Sequence, residues 1–186
     1  MAETVFQTSA REINVLVVID TEYLKDAYRN PSKDQNNPTA IDHGHQYMLC
    51  TGSRGVMSGQ GTGDLQFKAD VGDDVAFTGV SIYNNSDDAV IVYDVEHFSG
   101  DHVFNPFNAD MIVRTGAVQP NADSPNRNGL PPVRKQTNFA VFDSKVRSSG
   151  REGFGLAFGL YTLAANGQDQ ELYGYFRWDP YVTVAA

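Results

Sequence analysis

The run INVLVVID, Ile13 to Asp20, constrains this chain more than any other stretch. It is apolar at both parities: Ile13, Val15, Val17 and Ile19 on one side, Leu16 and Val18 on the other. Successive strand residues face opposite ways, so this pattern predicts a strand covered on both faces and central in its sheet. A long polar excursion follows, TEYLKDAYRNPSKDQNNPTAIDHGHQ, rich in Asn, Asp and Pro, before apolar sequence resumes at YMLC.

The remaining apolar pattern has period two. LQFKAD sets Leu65, Phe67 and Ala69 on one face. In DVAFTGVSIY, Val75 and Phe77 share one parity and Val80 and Ile82 the other, which predicts a β-bulge at Thr78–Gly79. NNSDD reads as a turn joining that strand to AVIVYDVEHF in a hairpin. MIVRTGAV and QTNFAVFDSKVR are strands flanking the long loop QPNADSPNRNGLPP. FGLAFGLYTL sets Phe154, Leu156, Phe158 and Leu160 against Gly155, Ala157 and Gly159, so another backbone, an aromatic ring or a ligand must approach its bare face. ELYGYFRWDPYVTV closes the chain, with Pro180 marking a bulge, bend or edge. DTEYLKDAY supports a short helical turn, and Pro31 and Pro38 stop anything longer.

These signals predict one all-β domain over residues 1–186, with residues 1–10 as a loose lead-in. Its expected form is a two-sheet antiparallel β-sandwich of about nine strands with Greek-key or jelly-roll-like connections. An α/β fold would need further strand–helix units, and no later segment supplies one.

The net charge of −9 and pI near 4.7 disfavour nucleic acid and anionic membrane surfaces. Self-association is expected to rise towards pH 5 as carboxylates protonate. Cys50 is the single cysteine, so an intrachain disulfide is impossible, and it reads as a small buried hydrophobe. The first residues lack the pattern of a signal peptide, and no run approaches the roughly 20 apolar residues of a membrane span. The expected compartment is the cytoplasm.

Asp42-His43-Gly44-His45 is the nearest approach to a site. In extended chain His43 and His45 point the same way and can share a metal with Asp20, Glu22 or Asp42; a polar hydrogen-bonded loop is the simpler reading. Asp20, just past a buried strand, is a candidate functional carboxylate or a helix cap. Asp94 and Glu96 share a parity, either as an acid–base pair or as a solvated face. Tyr173, Tyr175 and Arg177 share a face of the last strand, opposite Leu172, Phe176 and Trp178, and suit a sugar ring or a protein partner if they are not cross-strand packing. No nucleophile elbow, phosphate loop or calcium-loop spacing occurs. No catalytic residue, cofactor or metal is assigned.

INVLVVIDTEYLKDAY, NPSKDQNNPTAIDHGHQYML and the closing YGYFRWDPYVTV together resemble the bacterial inclusion-body protein family of the AidA/PixA type, most closely its AidA branch. The resemblance runs from about Ile13 to Val184. It implies a small soluble bacterial protein, often under quorum-sensing or growth-phase control, that accumulates as intracellular inclusions and in some members is linked to host interaction. It carries over no catalytic residue. With four methionines, this chain does not suit an amino-acid store.

Three functions stand open on the sequence. The first is a non-enzymatic protein that forms a homo-oligomer or binds a protein partner. The second is a lectin-like module binding carbohydrate through Asp20, Asp42, His43, His45, Tyr173, Tyr175 and Arg177. The third is a metal-dependent hydrolase using Asp20 with His43 and His45.

Overall fold

The computed structural model describes residues 9–52 and 54–179 and the backbone of 184–185. Most of the expected lead-in, and the irregularity expected at Pro180, lie outside the described residues. Twelve strands occur among the described residues, four of them only two or three residues long.

The first sheet is built on β1 (Glu12–Ile19), flanked by β3 (Gln46–Cys50) and β6 (Asp74–Ser81); β9 (Val133–Lys145) and β8 (Asn108–Gln119) extend it in the order β3-β1-β6-β9-β8. The second sheet is built on β10 (Arg151–Leu163). It pairs with β7 (Ala89–Gly100) and β11 (Gln170–Trp178), and at Arg151–Glu152 with β12 (Val184–Ala185). Short strands β2 (Thr39–Ala40), β4 (Val56–Ser58) and β5 (Gln66–Lys68) complete it.

The sandwich is mixed, not antiparallel throughout: β1 runs parallel to β6, and β2 and β5 run parallel to β11 and β12. The reason is connectivity. After β1 the chain returns antiparallel as β3 on one side, so the other side is left for β6, which arrives in the direction of β1.

Alternation decides which side chains fill the interior. Ile13, Val15, Val17 and Ile19 of β1 meet Phe154, Leu156, Phe158 and Leu160 of β10 and Phe176 and Trp178 of β11 in one core. Burying each large apolar side chain contributes roughly 1.5–3 kcal/mol. The second face of β1 is not covered as expected: Leu16 is 37% exposed. Among the described residues no layer covers the outer side of this sheet, and Leu16 and Val18 join Tyr47, Leu49 and Val80 in an outward apolar strip.

The expected bulge in β6 is absent; its register with β1 is unbroken from Asp74 to Ser81. Val75 and Phe77 face in and Val80 faces out in one continuous alternation. Gly79 takes the inward position, where a Cβ would come within 2.9 Å of Val92 Cγ2 and 3.1 Å of Val90 Cγ1. Nor do β6 and β7 form a hairpin: the turn at Asn84 and Asn85, both at positive φ, carries the chain from one sheet to the other, where β7 pairs with β10.

The single helix of the described residues, α1 (Thr21–Ala27), is capped by Asp20, whose Oδ1 accepts the Tyr23 N–H at 3.1 Å. Leu24 points into the core. A second polar anchor fixes the start of β1. Asp73, fully buried, accepts from Arg54 Nε and Nη2 and from the backbone N–H groups of Arg11 and Asp70, all at 2.8 Å. Burial pushes this carboxyl up, but Arg54 and the two N–H groups outweigh it and hold the pKa at about 2.

Candidate functional site

The small residues of β10 form the floor of a groove on the outer face of the second sheet. Ala157 pairs with Asp94 on one side and Arg177 on the other, and Gly155 pairs with Glu96. With no bulk on this floor, the longer side chains of β7 and β11 stand up as walls. Two connected hollows result. One, of about 510 Å³, is lined by Gln35, Asn36, Pro38, Tyr93, Asp94, Glu96, Ala157 and Arg177. The other, of about 390 Å³, is lined by His43, Glu96, Phe98, Gly155, Arg177 and Asp179. Glu96 and Arg177 belong to both, 3.8 Å apart at their nearest charged atoms.

The polar excursion supplies one wall. Its loop is tied down by bonds at several points. Asp34 accepts the N–H groups of Asn36 and Asn37, Tyr93 donates its hydroxyl to the Gln35 carbonyl at 2.8 Å, and the Tyr175 N–H bonds to the Ser32 carbonyl. Gly174 lets Pro31 lie on β11; a Cβ there would meet Pro31 Cγ at 2.4 Å. Lys33 Nζ bonds to the carbonyls of Leu172 and Tyr173.

Tyr93 and Asp94 both reach the groove although they are adjacent in sequence. A register shift between Ala157 and Phe158 leaves Tyr93 as the extra residue of β7. Such a bulge re-aims side chains, turning Asp94 and Glu96 outward and Val95 towards the core. The signal was present in the sequence, where apolar parity moves from Val90 and Val92 to Val95. Burial, and then the neighbouring charge of Glu96, raises the Asp94 pKa; burial and the Asp94 charge push Tyr93 up to about 12. The groove therefore holds the Asp94 and Glu96 carboxylates beside the permanent cation of Arg177.

Six of the candidates named from sequence divide into two groups. His43 and Arg177 line the groove, and Tyr175 supports it from behind, packing edge-on to Tyr93 with centroids 5.5 Å apart. Asp20, Asp42 and His45 form a local knot. Asp20 Oδ2 lies 3.2 Å from His45 Nδ1, the Tyr23 ring stacks on His45, and the Tyr23 hydroxyl donates to Asp42 at 2.8 Å. The Gly44 N–H and the Tyr23 hydroxyl lower the Asp42 pKa. His43 Nδ1 contacts Asp64 instead, at 2.8 Å. The segment bends at His43–His45, so the two imidazoles serve different carboxylates and do not converge on one ion as extended chain would allow.

Tyr173 also leaves its expected face. A register shift between Leu160 and Tyr161 makes it the extra residue of β11. Its ring packs parallel to Phe176, and its hydroxyl lies 2.9 Å from the Tyr28 carbonyl and 3.1 Å from that of Lys25, below the helix. Sequence reasoning missed Gln35, Asn36, Tyr93, Phe98 and Asp179 at the groove.

Fold and site together define a two-sheet β protein with an open polar groove on one outer face and a bare apolar strip on the other. The inclusion body protein family PixA matches residues 11–184, and the chain belongs to that family. Among solved structures, the crystal structure of an inclusion body protein of the same family from Burkholderia cenocepacia J2315 is similar at 34% identity. The likeness has a TM-score of 0.75 and covers 97% of this chain and 99% of that one. No curated protein matches the chain. Among the described residues, no helix is long and apolar enough to cross a membrane.

Proposed function

We propose that this chain is a non-catalytic, self-associating protein of the AidA branch, collected in cytoplasmic inclusions, and that its partner is a second copy of itself. One observation carries this reading: the β8–β9 ribbon. Beyond Phe142 the pair leaves β6 and, among the described residues, pairs with no further strand, since β6 pairs with β9 only from Phe142 to Lys145. No residue of β8 is buried, and in β9 none is buried before Phe142. Met111, Val113 and Phe139 are each about half exposed.

An isolated two-stranded ribbon is marginal in water, and its two open edges are templates for further pairing. A second copy suits it for two reasons. Residues 108–141 carry four basic and two acidic residues in a chain of net charge −9, so the ribbon of one molecule is attracted to the acidic body of another. The place to receive it is also present. Where β9 leaves β6, a cleft of about 560 Å³ opens between Leu16, Thr78 and Val80 on one side and residues 137–141 on the other. Regulated expression, under quorum-sensing or growth-phase control, and a link to a host belong to this proposal through the family resemblance.

Light scattering across a concentration series tests it. The wild-type chain is expected to be larger than a monomer, and Val113→Asp with Phe139→Asp to return it to monomer with its fold intact. A wild type that stays monomeric at high concentration would remove the proposal.

The groove favours a second role, binding a carbohydrate. A flat small-residue floor flanked by Asp94, Glu96, Arg177, His43 and the Tyr93 and Phe98 rings suits a polyhydroxylated ring, with hydroxyls met by carboxylates and guanidinium. A glycan array run with calcium and with chelator tests this; no binding in either condition sinks it.

A further inference from the structure

The sandwich end beyond the groove holds a second cluster, separate from the His43–His45 segment. His97 on β7, Glu152 on β10 and His102 in the loop after β7 each offer a donor atom within 4.8 Å of the others. We propose that these three side chains form a binding site for a divalent transition-metal ion of the zinc class.

The backbone builds the site. A register shift between Gly153 and Phe154 makes Phe98 the extra residue of β7, and His97 comes to pair with Phe154, which faces the core. Gly100, at φ +83°, and Gly153 permit the close crossing: a Cβ on Gly100 would fall 2.1 Å from the Arg151 carbonyl oxygen, and one on Gly153 would fall 2.4 Å from Ser99 Oγ. The Gly100 contact is with backbone, so the crossing next to Glu152 depends on that glycine most.

Glu152 is 5% exposed and has its orientation fixed. Its Oε2 accepts the N–H groups of Val103 at 2.7 Å and Phe104 at 3.3 Å. Its Oε1 lies 2.9 Å from His97 Nδ1. Those same bonds pin the loop carrying His102, whose carbonyl is held by Arg147 Nε at 3.1 Å and Ser148 Oγ at 2.9 Å. The His97 and His102 rings lie close and tilted by 31°, centroids 3.8 Å apart.

Metal–ligand bonds of about 2.0–2.1 Å put neighbouring ligand atoms roughly 3.0–3.4 Å apart. The His97–Glu152 pair, at 2.9 Å, falls just short of that spacing; an ion would replace the proton the pair shares and open it by a few tenths of an ångström. The His102 side chain is exposed and need only turn to bring its nitrogen in. Two imidazoles and one carboxylate are a donor set for zinc and related ions, and the exposed side leaves room for water as a further ligand. Buried backbone donors on the carboxylate are the outer-shell support such sites use to hold their ligands.

The test uses the full chain, stripped with chelator and titrated calorimetrically with zinc chloride. Wild type is expected to bind one ion per chain and to melt at higher temperature with zinc than without. His102→Ala, and His102→Gln as a second variant, should keep the metal-free melting temperature because the side chain is exposed. Both should weaken binding at least about tenfold. Absence of zinc binding by wild type, or binding that survives both substitutions, would overturn the proposal.

Discussion

Asp73 is where this structure makes its most quantitative demand. Replacing it by Asn keeps the shape, removes the charge, and turns an amide towards the Arg54 guanidinium. The carboxylate is sealed from water and its pKa stands at about 2 against an ordinary 3.8. At about 1.36 kcal/mol per unit, charged Asp73 contributes roughly 2–3 kcal/mol to stability at neutral pH. The sign follows from the direction. A depressed folded-state pKa gives stability that is present above about pH 4 and lost as pH falls through about 2. Asp73→Asn should therefore cost roughly 2–3 kcal/mol at pH 7, rising to roughly 3–5 kcal/mol if Arg54 is left uncompensated. The gap between wild type and variant should shrink steadily below pH 4. Urea denaturation from pH 7 down to the acid limit measures it. A gap that does not change with pH would show that the carboxylate is not held in its charged form by Arg54 and the two N–H groups.

Other expectations are more local. Gly79→Ala should destabilise by about 1–3 kcal/mol, because its methyl meets the Val90 and Val92 side chains in a packed interior; thermal melting reads this out. Cys50 should stay unlabelled by a thiol reagent at pH 8 in the native state and react once unfolded, since burial pushes its thiol up to about 11. Ala157→Leu should leave the fold stable but fill the groove floor. If the carbohydrate reading holds, any glycan found on the array should bind Ala157→Leu at least about tenfold more weakly, and unchanged binding would place the ligand elsewhere.

The alternating faces were legible because they rest on period-two chemistry alone. Phe154, Leu156, Phe158 and Leu160 fill the core as the pattern requires, and the bare face of β10 does receive close neighbours. Register was not legible. The bulges at Tyr93, Phe98 and Tyr173 each add one residue to a strand, and one residue moves a side chain to the opposite face. That shift assembled the groove and set His97 beside Glu152, and it removed Tyr173 from the face that alternation predicts it to share with Arg177. In β6 the opposite error arose: a true alternation looked broken because Val80 and Ile82 are apolar on an outward face. Sequence pattern reports which residues avoid water, and an uncovered apolar face defeats that inference.

The ribbon can be examined most directly by hydrogen–deuterium exchange. Backbone amides in residues 111–119 and 133–139 should exchange slowly at high protein concentration and speed up on dilution, as a second molecule leaves. Exchange in those segments that is the same at every concentration would contradict the account.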